Sequence, residues 1–392
     1  MSASTRHYEI EQVSSVCDVA TDTWNGLLTD GDPFMRHEFL AALETSGCVG
    51  EGTAWHPCHL LARDHHGDTV GAMPLYLKHD SRGEFVFDWS WAEAYERAGL
   101  SYYPKLVCSV PFTPATGRRL LTRDAADAGP VAGALVAAAL KVAAEHGASS
   151  LHVLFPKAAE AGQFLDSGFL ERKGCQFHWH NDGYSSFDDF LSRFSSEKRK
   201  KARRERRRVA EAGIEFERLR GDEPSDADWD AIYQFYARTF ARRGRAPYLN
   251  REFFATIART QPESLVIILA RFQGQPIATA LCFRSADTLY GRYWGSLADF
   301  HSLHFEACYY QGIEYCIESG LQRFEPGTQG EHKISRGFRP TSTWSYHWLA
   351  NRGFHRAVGD FLAHETAHVD TYMDDLEEHV PYRRDLPRIS NS

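Results

Sequence analysis

Glu325 closes a strand-like run, and across a Gly-Thr-Gln-Gly loop come Glu331, His332 and Lys333. A carboxylate and an imidazole brought together by a short loop suit general acid–base chemistry. Either Glu331 or His332 can accept a proton near neutral pH when partly buried. The competing reading is a solvated loop. Arg292 and Tyr293 lie on an aromatic-rich strand. Two-residue alternation puts Tyr290, Arg292 and Trp294 on one face, with Gly291 and Tyr293 on the other. An arginine in that setting suits a carboxylate or a phosphate, or equally a salt bridge to Glu325. Asp88, Trp89, Trp91, Glu93 and Tyr95 form an aromatic–acidic cluster, able to line an amine pocket or to pack as core.

A second kind of chemistry is written between Lys198 and Arg208, where KRKKARRERRR holds nine basic residues and one acid. The whole chain has 44 Lys+Arg against 52 Asp+Glu and a net charge of -8, so this positive patch is local. The run follows Ser195, Ser196 and Glu197, residues suited to a helix start, and Ala212-Gly213 suits its end. Ala202, Val209 and Ala210 form the expected inner stripe. Functionally the helix is a dock for a polyanion such as RNA or a phosphorylated substrate; otherwise it is a solvated face.

His364-Glu365-Thr366-Ala367-His368 spells H-E-x-x-H, a zinc-protease pattern. No third ligand follows at the usual spacing, and the match is read as chance. His178 and His180 have no further partners in the pattern, and no metal site is expected.

The elements that must position these groups alternate along the chain. Residues 59–63 and 70–77 read as a hairpin, 105–110 as a strand, about 131–146 as an Ala-rich helix and 150–155 as a strand. Residues 265–271 and 276–283 read as a second hairpin, with a strand at 288–294. A helix from about 304 to 319 and a strand at 321–325 complete the second half. The same order twice implies two mixed α/β domains, 1–180 and 181–350, with Arg172 to Asp189 joining them and a helical tail over 351–392.

At 392 residues, 43% hydrophobic and 13% aromatic, the chain can fill two globular cores and is not disordered. Eight scattered cysteines without a CxxC pair fit reduced, buried thiols. No secretory leader and no bilayer-length apolar run are read, and a cytoplasmic location is expected.

Three stretches carry a resemblance. FDDFLSRFSSEKRKKARRERRRVAEAGIEFERL is similar to the Fem segment in which a basic helix leads into a strand. QGQPIATALCFRSADTLYGRYWGS resembles its central strands, and EACYYQGIEYCIESGLQRFEPGTQGEHKISRGFRP its closing helix, strand and Gly-Phe loop. HEFLAALE, EFVFDWSWAEAYERAGLSYYPKL and VPFTPATGRRLL resemble a bacterial peptidoglycan-related N-acetyltransferase subgroup. Together they identify a FemAB-like, tandem GNAT-fold acyltransferase over most of His37 to Leu349.

The resemblance implies amide formation by an amine attacking an activated acyl group. Acyl-CoA or aminoacyl-tRNA would serve as co-substrate, with no permanently bound cofactor. It implies catalytic roles among Glu325, Glu331, His332, Arg292 and Tyr293, and substrate contacts from Asp88, Trp91, Glu93, Tyr95 and Arg336. A tRNA dock would use Lys198, Arg199, Arg203, Arg204, Arg206 and Arg207. The acceptor would be an amine-bearing small molecule or a cell-wall precursor. Two departures stand out. GSLADFHSLHFE has only Gly295 where a CoA-binding turn is glycine-rich, and Thr113 to Arg119 offers only Gly117. Ser335 stands where Fem proteins tend to carry a lysine, with Lys333 nearby. A non-catalytic RNA- or envelope-binding module on the same fold is the alternative.

Overall fold

The computed structural model describes residues 8–123, 127–297, 300–328 and 330–383. The chain divides into two compact units, Met1–Gly174 with Ser342–Val369, and Cys175–Thr341 with Asp370–Ser392.

The first unit opens with β1 (Glu9–Val13), α1 (Thr21–Asn25) and α2 (His37–Thr45). Then follow β2 (Trp55–Pro57), β3 (His59–Arg63), β4 (Thr69–Met73), β5 (Tyr76–Lys78), α3 (Trp89–Arg97), β6 (Lys105–Cys108) and β7 (Leu121–Thr122). It continues with α4 (Ala128–Glu145), β8 (Ser150–Leu154) and α5 (Ala161–Leu165). The expected hairpin is present as β3 and β4, but the returning strand breaks at Pro74, whose nitrogen cannot serve a ladder. Strands β1, β3, β4 and β7 form one antiparallel sheet, while β5 joins β2 and β6, and β6 runs parallel to β8.

Helix α4 is apolar and long enough, by length and composition, to cross a bilayer. Its Leu135, Val136, Ala139 and Ala143 instead pack with Leu60, Met73 and Val153 in the core of this unit.

The second unit begins inside β9 (Leu170–His180). Residues 172–189 were expected as a connector, yet 170–180 make one eleven-residue strand. Phe177 and Trp179, two apart, both enter the core on one face, while Gln176 and His178 are buried on the other. Next come α6 (Phe187–Ser192), α7 (Ser196–Glu211), β10 (Ile214–Leu219), α8 (Asp226–Ala241), α9 (Arg251–Thr260) and β11 (Leu265–Phe272). The remainder is β12 (Gln275–Arg284), β13 (Thr288–Ser296), α10 (Leu303–Phe305), α11 (Gln311–Glu318) and β14 (Arg323–Glu325). Strands β10 to β13 form an antiparallel meander, and β14 lies parallel to β13.

The single helix expected over 304–319 is three pieces, because a π-helical turn over Glu306–Tyr310 separates α10 from α11. Such insertions often mark functional positions. Strand β15 (Arg339–Leu349) and α12 (Arg352–Glu377) each pass from one unit to the other. The separate tail expected from 351 is therefore part of both cores. Val358 and Leu362 pack with Trp91 and Tyr95 in the first, and Leu376 lies in the core of the second.

Candidate functional site

The basic run folds as α7, with Ser195 at the N-cap position but no side-chain cap bond. The helix buries Ala202 and Val209 as expected; its third buried residue is Glu205, while Ala210 is exposed. Residues 202, 205 and 209 share one face at i, i+3 and i+7, so the charge of Glu205 points inward. It is met there by Arg336, whose Nη2 donates to Oε1 at 2.7 Å and whose Nε donates to Oε2 at 3.1 Å. Tyr310 Oη donates to Glu205 Oε2 at 2.6 Å, and the Arg336 guanidinium lies 3.3 Å from the centre of the Phe305 ring. Arg336 also donates to the His332 carbonyl oxygen at 2.6 Å. Burying these charges is tolerable because both are paired and hydrogen-bonded.

This anchored group forms the floor of a cleft of about 450 Å³, lined by Lys201, Arg204, Glu205, Arg208, His301, Phe305, His332, Ser335 and Arg336. Lys201, Arg204 and Arg208 bring three cations to one wall, with Arg208 beside the His301 ring. Among the described residues that line the cleft the acid is Glu205, already matched by Arg336.

His332 stands at the cleft with Nε2 2.8 Å from Tyr309 Oη, amid the rings of His304, Phe305 and Tyr309. Burial, aided by the charges of Arg336 and Lys333, holds His332 below its ordinary value, so it is neutral at pH 7. Burial with the same positive neighbours takes His304 down to about 4. Gly330 has φ 114°, and a Cβ there would meet His332 Cε1 at 2.3 Å and Nδ1 at 2.8 Å. The imidazole thus fills space that exists because residue 330 has no side chain.

Lys333 is 2% exposed and donates from Nζ to the Gly327 carbonyl at 2.6 Å. Burial takes its ammonium down to about 7. The spacing argument had no means of finding this, since Lys333 reads as one more loop charge.

Of the other expected catalytic residues, Glu331 is exposed and accepts a hydrogen bond from Tyr372 Oη at 2.9 Å; it does not line the cleft. Glu325 is buried, and its Oε1 lies 3.4 Å from Arg323 Nε in an ion pair. Arg292 corrects the alternation expected of β13. Gly291 pairs with Cys282 and Tyr293 with Leu281, leaving Arg292 as the extra residue of a β-bulge. Tyr293 packs edge-on to Tyr236 of α8 and Phe254 of α9. Beyond the bulge the helix α8 comes very close. A Cβ on Gly295 would lie 2.1 Å from the Phe235 carbonyl oxygen, and Thr239 Oγ1 donates to the Trp294 carbonyl at 2.7 Å. Strand β14 pairs with β13 only over Thr288–Tyr290. The Trp294 ring then lies 5.3 Å from His304, joining this edge to the imidazole cluster.

The six residues expected to hold RNA divide. Arg206 is tied to Glu306 and Glu314 and stacks on Phe187, so it holds α7 in place. Arg203 pairs with Asp188 and Arg207 with Glu211, both in exposed ion pairs. Arg204 lines the cleft, while Lys198 and Arg199 are half-buried in the first turn.

In the first unit, the expected amine pocket is a buried polar network. Asp88, Glu84 and Ser81 surround the fully buried Lys105 ammonium, and Tyr102 Oη donates to Asp88 at 2.6 Å. Burial drives Glu84 up to about 7 against the pull of Lys105. At Asp88 burial is outweighed by Lys105 and His152, which take it down to about 2. His152 Nδ1 lies 2.7 Å from His347 Nδ1, and Trp91 packs edge-on to His347. Tyr95 is buried against Phe354, while Glu93 is exposed. Asp88, Trp91 and Tyr95 thus belong to the core of this unit. His364 and His368 each bond a carbonyl of their own helix, and Glu365 accepts from Arg172 Nε and Nη2, each at 2.7 Å. His178 is buried on β9 against Gln176.

A family model described as peptidoglycan biosynthesis/recognition matches residues 15–384, and the chain belongs to this FemAB-like family. Its fold is the tandem GNAT-like arrangement, and membership places it in an acyltransferase-type class connected with peptidoglycan biosynthesis. Among solved structures it is similar to FemX, at 12% identity and TM-score 0.54, covering 90% of this chain and 100% of that one. The C-terminal domain of a putative lysylphosphatidylglycerol synthetase from Agrobacterium fabrum gives 12% identity and TM-score 0.54, over 89% and 96% of the two chains. The structure titled L-PGS from Bacillus licheniformis gives 13% and 0.50, over 90% and 98%. A search of the curated proteins returned no significant match.

Proposed function

We propose that the chain transfers an acyl or aminoacyl group to an amine of a cell-wall precursor, at the cleft beside α7, in the cytoplasm. The observation that carries this reading is His332, a neutral imidazole at a cleft whose far wall is cationic. With its proton on Nε2, the ring donates to Tyr309 Oη and keeps the Nδ1 lone pair for the acceptor amine. The amine nitrogen attacks the acyl carbon as Nδ1 takes its proton. The bond to the leaving sulfur or ribose oxygen then breaks, and the imidazolium returns the proton to that atom. Lys201, Arg204 and Arg208 suit the phosphates of the donor, acyl-CoA or aminoacyl-tRNA, and a positive wall favours the oxyanion as it forms.

The test is donor consumption by the purified protein, with acetyl-CoA and charged tRNA pools in parallel and muropeptide precursors as acceptors. Turnover with either donor that falls in His332→Gln supports the reading. Turnover indifferent to His332→Gln removes His332 from the chemistry. Arg203→Gln/Arg207→Gln separates the donors: tRNA laid along α7 would lose affinity, whereas CoA would not.

A further inference from the structure

His332 is the second residue of a six-residue 3-10 turn, Glu331–Arg336. A 3-10 run of that length supports itself poorly, because its hydrogen bonds are less well aligned than those of an α-helix. Both flanks are glycines at positive φ, Gly330 at 114° and Gly337 at 97°, so the backbone is soft on either side. The pairing of Arg336 with Glu205 fixes the last residue of the turn to α7. Its first residue, and the glycine that follows it, are held from a different direction.

Two tyrosines of one segment supply that hold. Tyr372, in the last two turns of α12, donates from Oη to Glu331 Oε1 at 2.9 Å. Tyr382, beyond the end of α12, donates from Oη to the Gly337 carbonyl at 2.6 Å. Burial, together with Glu331, pushes the Tyr372 hydroxyl up to about 12, so it keeps its proton and stays the donor. The chain around Tyr382 is itself tied down at the start of α7. Ser195 N donates to the Pro381 carbonyl at 2.8 Å, and Arg383 N to the Arg193 carbonyl at 2.9 Å, in a short antiparallel bridge. The Tyr382 ring packs edge-on to Phe194 at 5.4 Å and lies 4.6 Å from the Arg339 guanidinium. A Cβ on Gly337 would meet Phe190 Cζ at 2.6 Å and Phe194 Cζ at 3.0 Å. The backbone after the turn thus rests on the ring that Tyr382 packs against.

We propose that Tyr372 and Tyr382 are positioning residues for His332, clasping the two ends of its turn and so fixing the imidazole against the cationic wall of the cleft. This rests on acyl transfer taking place at that cleft. Glu331 then has a use that its exposure hides, as the handle by which Tyr372 grips the turn. Proton transfer demands such a hold, since a reacting group displaced by about 1 Å loses about a hundredfold in rate. Hydroxyls that only add stability would behave differently. Their removal would lower the Tm and leave the surroundings of the imidazole as they are.

The experiment follows the His332 ring by NMR of the histidine-labelled full chain, its signal identified by its absence from His332→Gln. Tyr372→Phe/Tyr382→Phe keeps both rings and removes only the two hydroxyls, so the Tm should stay within a few degrees. The His332 titration midpoint should rise toward the ordinary histidine value, because a loosened turn gives up the burial that lowers it. In turnover, kcat should fall by about tenfold to a hundredfold with the donor KM little changed. Tyr346→Phe removes a comparable hydroxyl bond, to Glu171 in the first unit, and should leave the midpoint alone. A double variant whose His332 titrates as in the wild type would overturn the clasp, and so would an equal shift in Tyr346→Phe. The midpoint is read without turnover, so a protein that transfers no acyl group sinks the acyl-transfer reading while the shift still decides the clasp.

Discussion

Arg336 and Glu205 are joined by two parallel charge-assisted hydrogen bonds, 2.7 and 3.1 Å long, with both side chains less than a tenth exposed. The pair locks the loop carrying His332 to the basic helix that forms the cleft wall. Removing one partner leaves the other charge buried. Glu205→Ala is expected to cost about 3–5 kcal/mol, and Arg336→Lys to lose the Phe305 stacking and the fork geometry as well. Chemical denaturation of both variants checks this, and a loss under 1 kcal/mol would show that the pair is not what holds the loop.

His332→Gln keeps a polar ring-sized group but removes the base, and kcat should fall by about 10²–10⁴ while the Tm stays within a few degrees. In the wild type, kcat/KM should rise with pH through a midpoint below the ordinary histidine value, because burial and Arg336 oppose protonation. The rise should be missing from His332→Gln.

Gly330→Ala places a methyl where His332 Cε1 and Nδ1 now lie and imposes a side chain on a backbone at φ 114°. Activity should fall nearly as far as in His332→Gln, with stability lower by about 1–3 kcal/mol. Wild-type activity in Gly330→Ala would mean that the ring is not confined as described.

Lys333 has a folded-state value near 7 against an ordinary 10.5. Between those values the unfolded chain binds a proton that the folded chain does not, so this residue's contribution makes stability rise with pH from about 7 to 10.5. Below 7 both states are protonated and the dependence vanishes. Lys333→Met should remove that rise, seen as the difference between the two proteins' unfolding free energies across the window. Parallel curves would show that Lys333 is charged in the fold.

Lys105 is the one cation between Glu84 and Asp88 in the buried network of the first unit. Lys105→Met should destabilise by about 3–5 kcal/mol, since two buried carboxyls lose their counter-charge. Lys105→Met combined with Glu84→Gln should recover part of that loss.

Much of the architecture was legible because hydrophobic runs and turn residues announce strands and hairpins locally. The meander of β11 to β13 and the basic helix both fell where period and punctuation put them. What failed depended on long-range partners. Glu205 looked like one acid in a solvated run, and only Arg336, 131 positions away, makes it a buried anchor. Asp88 and Trp91 looked like a pocket because sequence cannot reveal that Lys105, His152 and His347 fill the space around them. The bulge at Arg292 inverted an alternation that its own strand gave no reason to doubt. His332 was legible as a candidate; its neutrality and its glycine-made space were not.

The central claim is tested most directly by single-turnover acyl transfer to a muropeptide precursor by the wild-type protein and by His332→Gln. The account predicts product from the wild type with at least one of acetyl-CoA and aminoacyl-tRNA, and a rate about a hundredfold or more lower in the variant. Equal rates in the two proteins would contradict it.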